Sequence, residues 1–153
     1  MNKLLLPASG VLLVLGLNMA GNSARTTDVD QDQNTKRQME KQFLNPKDLN
    51  VPTGFTHVVT ANQGKMIFVS GQVALNKQGE VIGKGDLRAQ ATQVFENLKV
   101  ALAAAGATFA EVVKMNTYVV NYKPADVTVL REVRSKYVSK EKPPASTLVG
   151  VQS

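Results

Sequence analysis

The chain has 153 residues, a formal net charge of +6 at neutral pH and no cysteine. This length corresponds to one domain. A sequence without cysteine excludes disulfide bonds, thiolate metal sites, iron–sulfur clusters and a cysteine nucleophile. His57 is the single histidine, so we expect no zinc site, and a serine–histidine catalytic triad would depend on that residue alone.

The positive charge is spread along the chain, with its densest group at Lys36, Arg37 and Lys41. Proteins that bind single-stranded nucleic acid place aromatic side chains among basic ones, on which the bases stack. This sequence has no tryptophan and no such interleaving. We therefore interpret the charge as the basic surface of a soluble domain and do not expect a nucleic-acid partner.

The first 24 residues have the composition of an export signal. Lys3 precedes residues 4–20, which are almost wholly apolar, and small residues follow them. This order predicts a secretory signal peptide over residues 1–24 and a periplasmic or secreted protein, without stable membrane association once the signal is cleaved. An uncleaved membrane anchor is the alternative, but a run of this length containing Pro7 is marginal for a hydrocarbon core of about 30 Å.

Residues 25–42 are polar and rich in Thr, Asp, Gln and Asn. Such a segment cannot bury enough apolar surface to order itself, and we predict a flexible linker. The folded domain is expected to span residues 43–153.

The domain opens with two β-prone runs, residues 57–60 and 66–70. Asn62 and Gly64 between them tolerate positive φ, which predicts a β-hairpin. The second run continues past Gly71, and a glycine inside a strand is typical of a bulge or of a backbone that a ligand approaches closely.

A helix is predicted next, because Asp86 is a suitable N-cap and Gly106 a suitable C-cap. Between them, apolar residues recur at spacings of three and four, at Leu87, Ala91, Val94, Phe95, Leu98 and Leu102. Residues 112–120 are β-prone. Asp126 is predicted to cap a second helix with Leu130, Val133 and Tyr137 on one face, and residues 145–151 to form a last strand. The order β-β-α-β-α-β predicts an α/β fold, a two-layer sandwich with both helices on one face of a small mixed sheet.

Short motifs in a fixed order resemble the RidA family, also known as YjgF or enamine/imine deaminases. They are Val69-Ser70-Gly71-Gln72, Gly79, Asp86 with Gln90 and Phe95-Glu96-Asn97-Leu98, Ala104-Ala105-Gly106-Ala107, Val112-Val113-Lys114, and Pro144-Ala145-Ser146-Thr147. The resemblance covers residues 43–153.

The resemblance implies a chorismate-mutase-like fold assembled as a homotrimer with clefts between subunits. Active RidA proteins hydrolyse reactive enamines and imines of the 2-aminoacrylate type to 2-ketoacids and ammonia, without a metal or organic cofactor. In them, an arginine grips the substrate carboxylate, a glutamate on the final strand positions water, and a tyrosine helps to close the cleft.

The sequence departs from this pattern at three places. Ser146 stands at the arginine position and Phe55 at the tyrosine position, and the segment ending at Ser153 lacks the final strand with its glutamate. The resemblance therefore assigns no catalytic residue here. It implies a cleft lined by Phe55, Gly71, Ser146 and Thr147, in which backbone donors near the last two could hold a carboxylate or carbonyl oxygen.

Three functions follow as hypotheses. The first is an exported RidA protein that hydrolyses a small imine or enamine carboxylate. The second is a non-catalytic protein that binds a small metabolite in the same cleft. The third is a ribonuclease, which only the positive charge supports. For the trimer, an apolar sheet face is expected to meet the neighbouring subunits, with Val58, Ile67, Val69 and Val119 as its candidate residues.

Overall fold

The protein is described by a computed structural model over residues 11–19 and 40–152. The elements are β1 (Val11–Met19), β2 (Lys41–Leu44), β3 (Val58–Ala61), β4 (Lys65–Gln72), α1 (Leu87–Ala104), a 3₁₀ turn (Phe109–Glu111), β5 (Val112–Val120), α2 (Asp126–Arg134) and β6 (Ala145–Val151). The predicted α/β class and the order β-β-α-β-α-β are confirmed from β3 to β6. No helix within the described ranges is long and apolar enough to cross a membrane.

Four strands form the main sheet, in the order β4-β1-β5-β6. β1 runs antiparallel to both of its neighbours, with Leu15 opposite Val69 of β4 and Met115 of β5. β6 runs parallel to β5, with Ser146 opposite Met115. The sequence assigns β1 to the export signal, and the structure gives it an inner position in the sheet. Cleavage of the signal would therefore remove a strand with neighbours on both sides.

The predicted hairpin between β3 and β4 is wrong in its pairing. β3 pairs antiparallel with β2, where Phe43 lies opposite Val59, and β4 pairs with β1. The local pattern located both strands, but a strand's partner depends on which other edge is available in the folded chain. β2 supplies that edge, and it begins at Lys41, inside the predicted linker.

Both helices pack on one face of the sheet, as predicted. The Asp86 side chain accepts a hydrogen bond from the Ala89 amide at 3.0 Å and so caps α1. Gly106, just beyond the helix, has a φ of 75°, the left-handed conformation that favours glycine at a helix end. The predicted cap of α2 is wrong, because Ala125 is its N-cap and Asp126 lies in the first turn, where it accepts a hydrogen bond from the Lys123 amide.

The predicted trimer face is also wrong for three of its four residues. Ile67, Val69 and Val119 belong to the core beneath the helices, whereas Met66 and Phe68 are 63% and 77% exposed. Successive side chains of a strand face opposite sides, so a one-residue error exchanges the buried and open faces. The fourth residue, Val58, lies in the two-stranded sheet.

Candidate functional site

A cavity of about 250 Å³ lies between the segment of residues 53–55, α2 and the strands β5 and β6. Its apolar wall includes Phe95, Leu130 and Leu148. Its polar groups are contributed by Thr53, Thr117, Arg131, Arg134 and Ser146. An apolar wall with a few convergent polar groups is the usual character of a small-molecule site.

The segment of residues 53–55 is fixed against the entry to β6. Gly54 has a φ of 78°, a left-handed conformation that glycine adopts at little cost. The buried Thr56 hydroxyl donates a hydrogen bond to the Pro143 carbonyl at 2.6 Å, and the Thr56 amide donates to the Pro144 carbonyl at 3.3 Å. These contacts bring Phe55 to the cavity that Ser146 lines from β6.

Two arginines reach the same cavity from α2. Arg131 and Arg134 are three residues apart and therefore project from neighbouring positions on the helix surface. Arg134 donates from Nη1 to the Gly54 carbonyl at 2.6 Å, and Arg131 donates from Nη2 to the Thr53 carbonyl at 3.4 Å. The other terminal nitrogen of Arg134, Nη2, is buried and has no hydrogen-bond partner among the described residues.

No carboxylate neutralises these arginines in the described part of the chain. Glu132, which lies between them in sequence, pairs instead with Arg88 of α1 at 2.5 Å. Burial lowers the pKa of Arg134, and the nearby charge of Arg131 lowers it further. Two arginines therefore line the cavity, and one of them has a buried guanidinium nitrogen without a hydrogen-bond partner among the described residues. Buried polar groups normally have a partner, and a guanidinium fork matches a carboxylate or a phosphate.

The structure brings together only two of the four residues predicted to line the cleft. Phe55 and Ser146 line the cavity. Thr147 faces the opposite side of the sheet, where its hydroxyl accepts a hydrogen bond from Lys114 Nζ at 2.7 Å. Gly71 is exposed near the end of β4 and does not line this cavity. Neighbouring residues on a strand point in opposite directions, which explains the separation of Ser146 from Thr147.

His57 and Glu111, which lie outside the cavity, have structural contacts. His57 places Nε2 at 2.9 Å from the Asn50 carbonyl, and its ring meets the edge of Phe55 with centroids 5.2 Å apart. Glu111 accepts hydrogen bonds from the Thr108 amide and hydroxyl and closes a capping box. Partial burial acts to raise the pKa of Glu111, but the bonds from Thr108 and the charge of Lys41 together outweigh it and the pKa is lowered. No Asp, Glu, His, Lys or Tyr lines the cavity within residues 40–152.

Sequence reasoning missed Arg131 and Arg134. The available signal was their spacing of three residues on a predicted helix, next to the apolar face formed by Leu130 and Val133. That spacing does not indicate what the pair faces, because basic pairs on helices are usually solvated.

The family profile described as Endoribonuclease L-PSP matches residues 46–153. The chain belongs to the RidA family. A solved structure of YyfB from Yersinia pestis, a protein of unknown function of the conserved Rid family, has 40% sequence identity and a TM-score of 0.68, covering 74% of this chain and 86% of that one. This agreement confirms the RidA-type fold.

Curated relatives of this RidA protein include a deaminase and a RutC family protein. A 2-iminobutanoate/2-iminopropanoate deaminase of Dermatophagoides farinae is 32% identical over 88 residues, which are 58% of this chain and 66% of that protein. A RutC family protein of Pyrococcus abyssi is 38% identical over 80 residues, which are 52% of this chain and 61% of that protein. The matched part of this RidA protein therefore spans less than two thirds of either relative.

Proposed function

We propose that this RidA protein binds small 2-imino or 2-enamine carboxylates in the α2 cavity and hydrolyses them to 2-ketoacids and ammonia. The observation that carries the proposal is the cavity itself, in which Phe55 and Ser146, at the family's tyrosine and arginine positions, meet two uncompensated arginines. The name of the mite relative, an iminobutanoate and iminopropanoate deaminase, supports the same chemistry.

The reaction places few demands on the protein. An enamine first becomes the imine by taking up a proton at C3 and losing one from nitrogen. Water then adds to the C2 carbon of the imine and forms a carbinolamine. The C–N bond then breaks, so that ammonia leaves and the 2-ketoacid remains. A cation beside the substrate carboxylate offsets its negative charge and makes C2 more electrophilic. The hydroxyls of Thr117 and Ser146, which line the cavity, are suited to hydrogen-bonding the entering water or the imine nitrogen.

Ammonia release from freshly generated 2-aminoacrylate tests this activity. The expected result is a rate above the uncatalysed one at micromolar protein, proportional to protein concentration. A rate equal to the uncatalysed one would contradict the catalytic part of the proposal.

A non-catalytic binding protein is the second candidate, and one observation favours it. No acid or base side chain lines the cavity within the described residues, whereas positioned acids and bases typically contribute about 10²–10⁴-fold to a rate. In that case small ketoacids stabilise the fold, by about 2.7 kcal/mol at a hundred times the dissociation constant, while no ammonia is released. The ribonuclease hypothesis gains no support from this cavity, which lacks an acid–base pair.

We also propose that copies of the chain cover the open face of the sheet, as a homotrimer. Met66 and Phe68 on β4 are exposed at 63% and 77%, and Val149 on β6, at the other edge of the sheet, at 39%. Exposed apolar surface of this kind commonly marks an interface. Light scattering after size-exclusion chromatography should give three times the chain mass, and Phe68→Glu should reduce it. A monomeric wild-type protein would contradict the proposal.

Export remains a proposal as well, supported by the composition of residues 1–24. Export with cleavage would require the domain to fold without β1, because β1 lies within this segment and between β4 and β5. The mass of the protein recovered from a periplasmic fraction tests it. Loss of residues 1–24 would support export with cleavage, and a full-length cytosolic protein would contradict it.

A further inference from the structure

We propose that Arg134 of α2 is the carboxylate anchor of this site, in place of an arginine at the start of β6. The inference deepens the proposed function and rests on its statement that the ligand is a small carboxylate. It assigns the role to a different element of the fold, a helix instead of a strand.

The hydrogen bonding of Arg134 is the first observation that supports this role. Its Nη1 is held by the Gly54 carbonyl at 2.6 Å, which fixes the plane of the guanidinium. Its Nη2 is buried without a hydrogen-bond partner among the described residues. An unpaired buried donor of a charged group carries a desolvation cost. A carboxylate oxygen that accepts from Nη2 removes this cost.

The surrounding charge carries the second step. Arg131 lines the same cavity, and no ion pair in the described part of the chain involves either arginine. Adjacent like charges disfavour each other, and an anion between them turns this repulsion into attraction. Because Glu132 is engaged with Arg88, the neighbouring carboxylate on α2 does not take the place of a ligand.

The small side chain at Ser146 carries the third step. Ser146 and Arg134 line the same cavity, so an arginine at position 146 would compete for the same space and add a third cation. Anchoring from β6 and anchoring from α2 are therefore alternatives. At about 250 Å³, the cavity is smaller than the roughly 300–1,000 Å³ typical of pockets for drug-sized ligands. This size favours a carboxylate of a few carbons.

Calorimetric titration of the full chain with pyruvate and 2-ketobutanoate tests the assignment. Arg134→Met should raise Kd about tenfold to a hundredfold, the equivalent of losing a charged hydrogen bond of about 1.5–3 kcal/mol. Arg134→Lys keeps the charge but not the planar fork, and should raise Kd by a smaller factor. If Arg134→Met fails to fold, Arg134→Lys still tests the role of the guanidinium. Lys99→Met is the matched control, since Lys99 is exposed on α1 and does not line the cavity, and should leave Kd unchanged.

Two variants that move the positive charge to β6 distinguish a specific role of Arg134 from a general effect of positive charge on binding. Ser146→Arg alone should weaken binding because it crowds Arg134, whereas Ser146→Arg combined with Arg134→Met should bind more tightly than Arg134→Met. An unchanged Kd in both Arg134 variants would overturn the anchor, and so would an absence of wild-type binding at millimolar ketoacid. A wild-type protein that binds ketoacids through Arg134 but releases no ammonia would overturn only the catalytic part of the proposed function.

Discussion

The helices α1 and α2 lie on the same face of the sheet but contribute different things to the protein. α1 buries six residues along 18, including Leu98 and Leu102 with no exposed surface. α2 has nine residues and buries only Leu130 and Val133, while Arg131 and Arg134 line the cavity. The two helices therefore differ in emphasis: α1 provides most of the helical part of the core, and α2 provides the two arginines of the proposed binding site.

The largest expected effect is the loss of stability that follows a core substitution in α1. Leu98→Ala removes a side chain with 0% exposure and should lower the free energy of unfolding by about 2–5 kcal/mol, because buried Leu→Ala changes also leave a cavity. Urea unfolding measures this loss, and the folded fraction should keep its affinity for ketoacids. Val100 of the same helix is 70% exposed. Val100→Ala is therefore the control and should change stability by about 0.5 kcal/mol or less. A Leu98 variant that loses affinity but not stability would contradict this difference between the helices.

A smaller effect is expected at the start of α1. Asp86→Ala removes the acceptor of the Ala89 amide and should cost about 0.5–2 kcal/mol of stability. Asp86→Asn keeps an N-cap side chain of similar quality and should cost much less. Thermal unfolding of both variants distinguishes the cap from the charge. Equal losses would show that the carboxylate charge, and not the hydrogen bond, matters.

Alkaline pH tests the contact between the two helical regions at Tyr137. Its hydroxyl donates to Glu96 at 2.7 Å, and its ring stacks on Phe95 with centroids 4.9 Å apart. Burial, followed by Glu96, raises the pKa of Tyr137 to about 12, against about 10 in an unfolded chain. The unfolded state thus releases the proton first, so this contribution is complete below pH 10 and is lost as the pH rises toward 12.

Tyr137→Phe should therefore lose less stability than the wild type between pH 9 and pH 11.5, as measured by urea unfolding at each pH. The other alkaline-titrating groups are common to both proteins and cancel in the difference. Parallel losses in the two proteins would contradict a raised pKa of Tyr137.

The smallest effect is expected at the ion pair that joins the helices. The Arg88 and Glu132 side chains are 52% and 53% exposed, and exposed pairs contribute about 0–1 kcal/mol. Glu132→Gln should therefore lower the unfolding free energy by less than about 1 kcal/mol, and by less still at high salt, while ketoacid affinity stays the same. An affinity change as large as that of Arg134→Met would show that Glu132 tunes the site.

The elements of the fold were predictable because their signals are local. Asp86, the apolar spacing of α1 and Gly106 specify one helix without reference to the rest of the chain. Strand pairing was not predictable in the same way, because β3 pairs with β2 and β1 enters between β4 and β5 through contacts distant in sequence. The prediction also exchanged the open and buried faces of β4. Alternation along a strand shows that successive side chains face opposite sides, but it does not show which side is the core.

The candidate site was predictable in part. The resemblance placed Phe55 and Ser146 in one cleft between subunits, which stays a prediction; within a single chain, both residues line the same cavity. It also grouped Ser146 with Thr147, although consecutive strand residues face opposite sides. Arg131 and Arg134 could not be inferred from any motif, since their proposed role depends on the packing of α2 against residues 53 and 54, which lie 78 and 80 positions earlier in the chain.

A crystal structure of the protein with pyruvate or 2-ketobutanoate bound tests the central claim most directly. We predict a carboxylate oxygen about 2.7–2.9 Å from Arg134 Nη2, the distance of a charge-assisted hydrogen bond, with the 2-keto oxygen toward Thr117 and Ser146 and the alkyl end against the apolar wall of the cavity. A ligand held instead by the backbone amides near Ser146 and Thr147, with Arg134 Nη2 still unpaired, would contradict it.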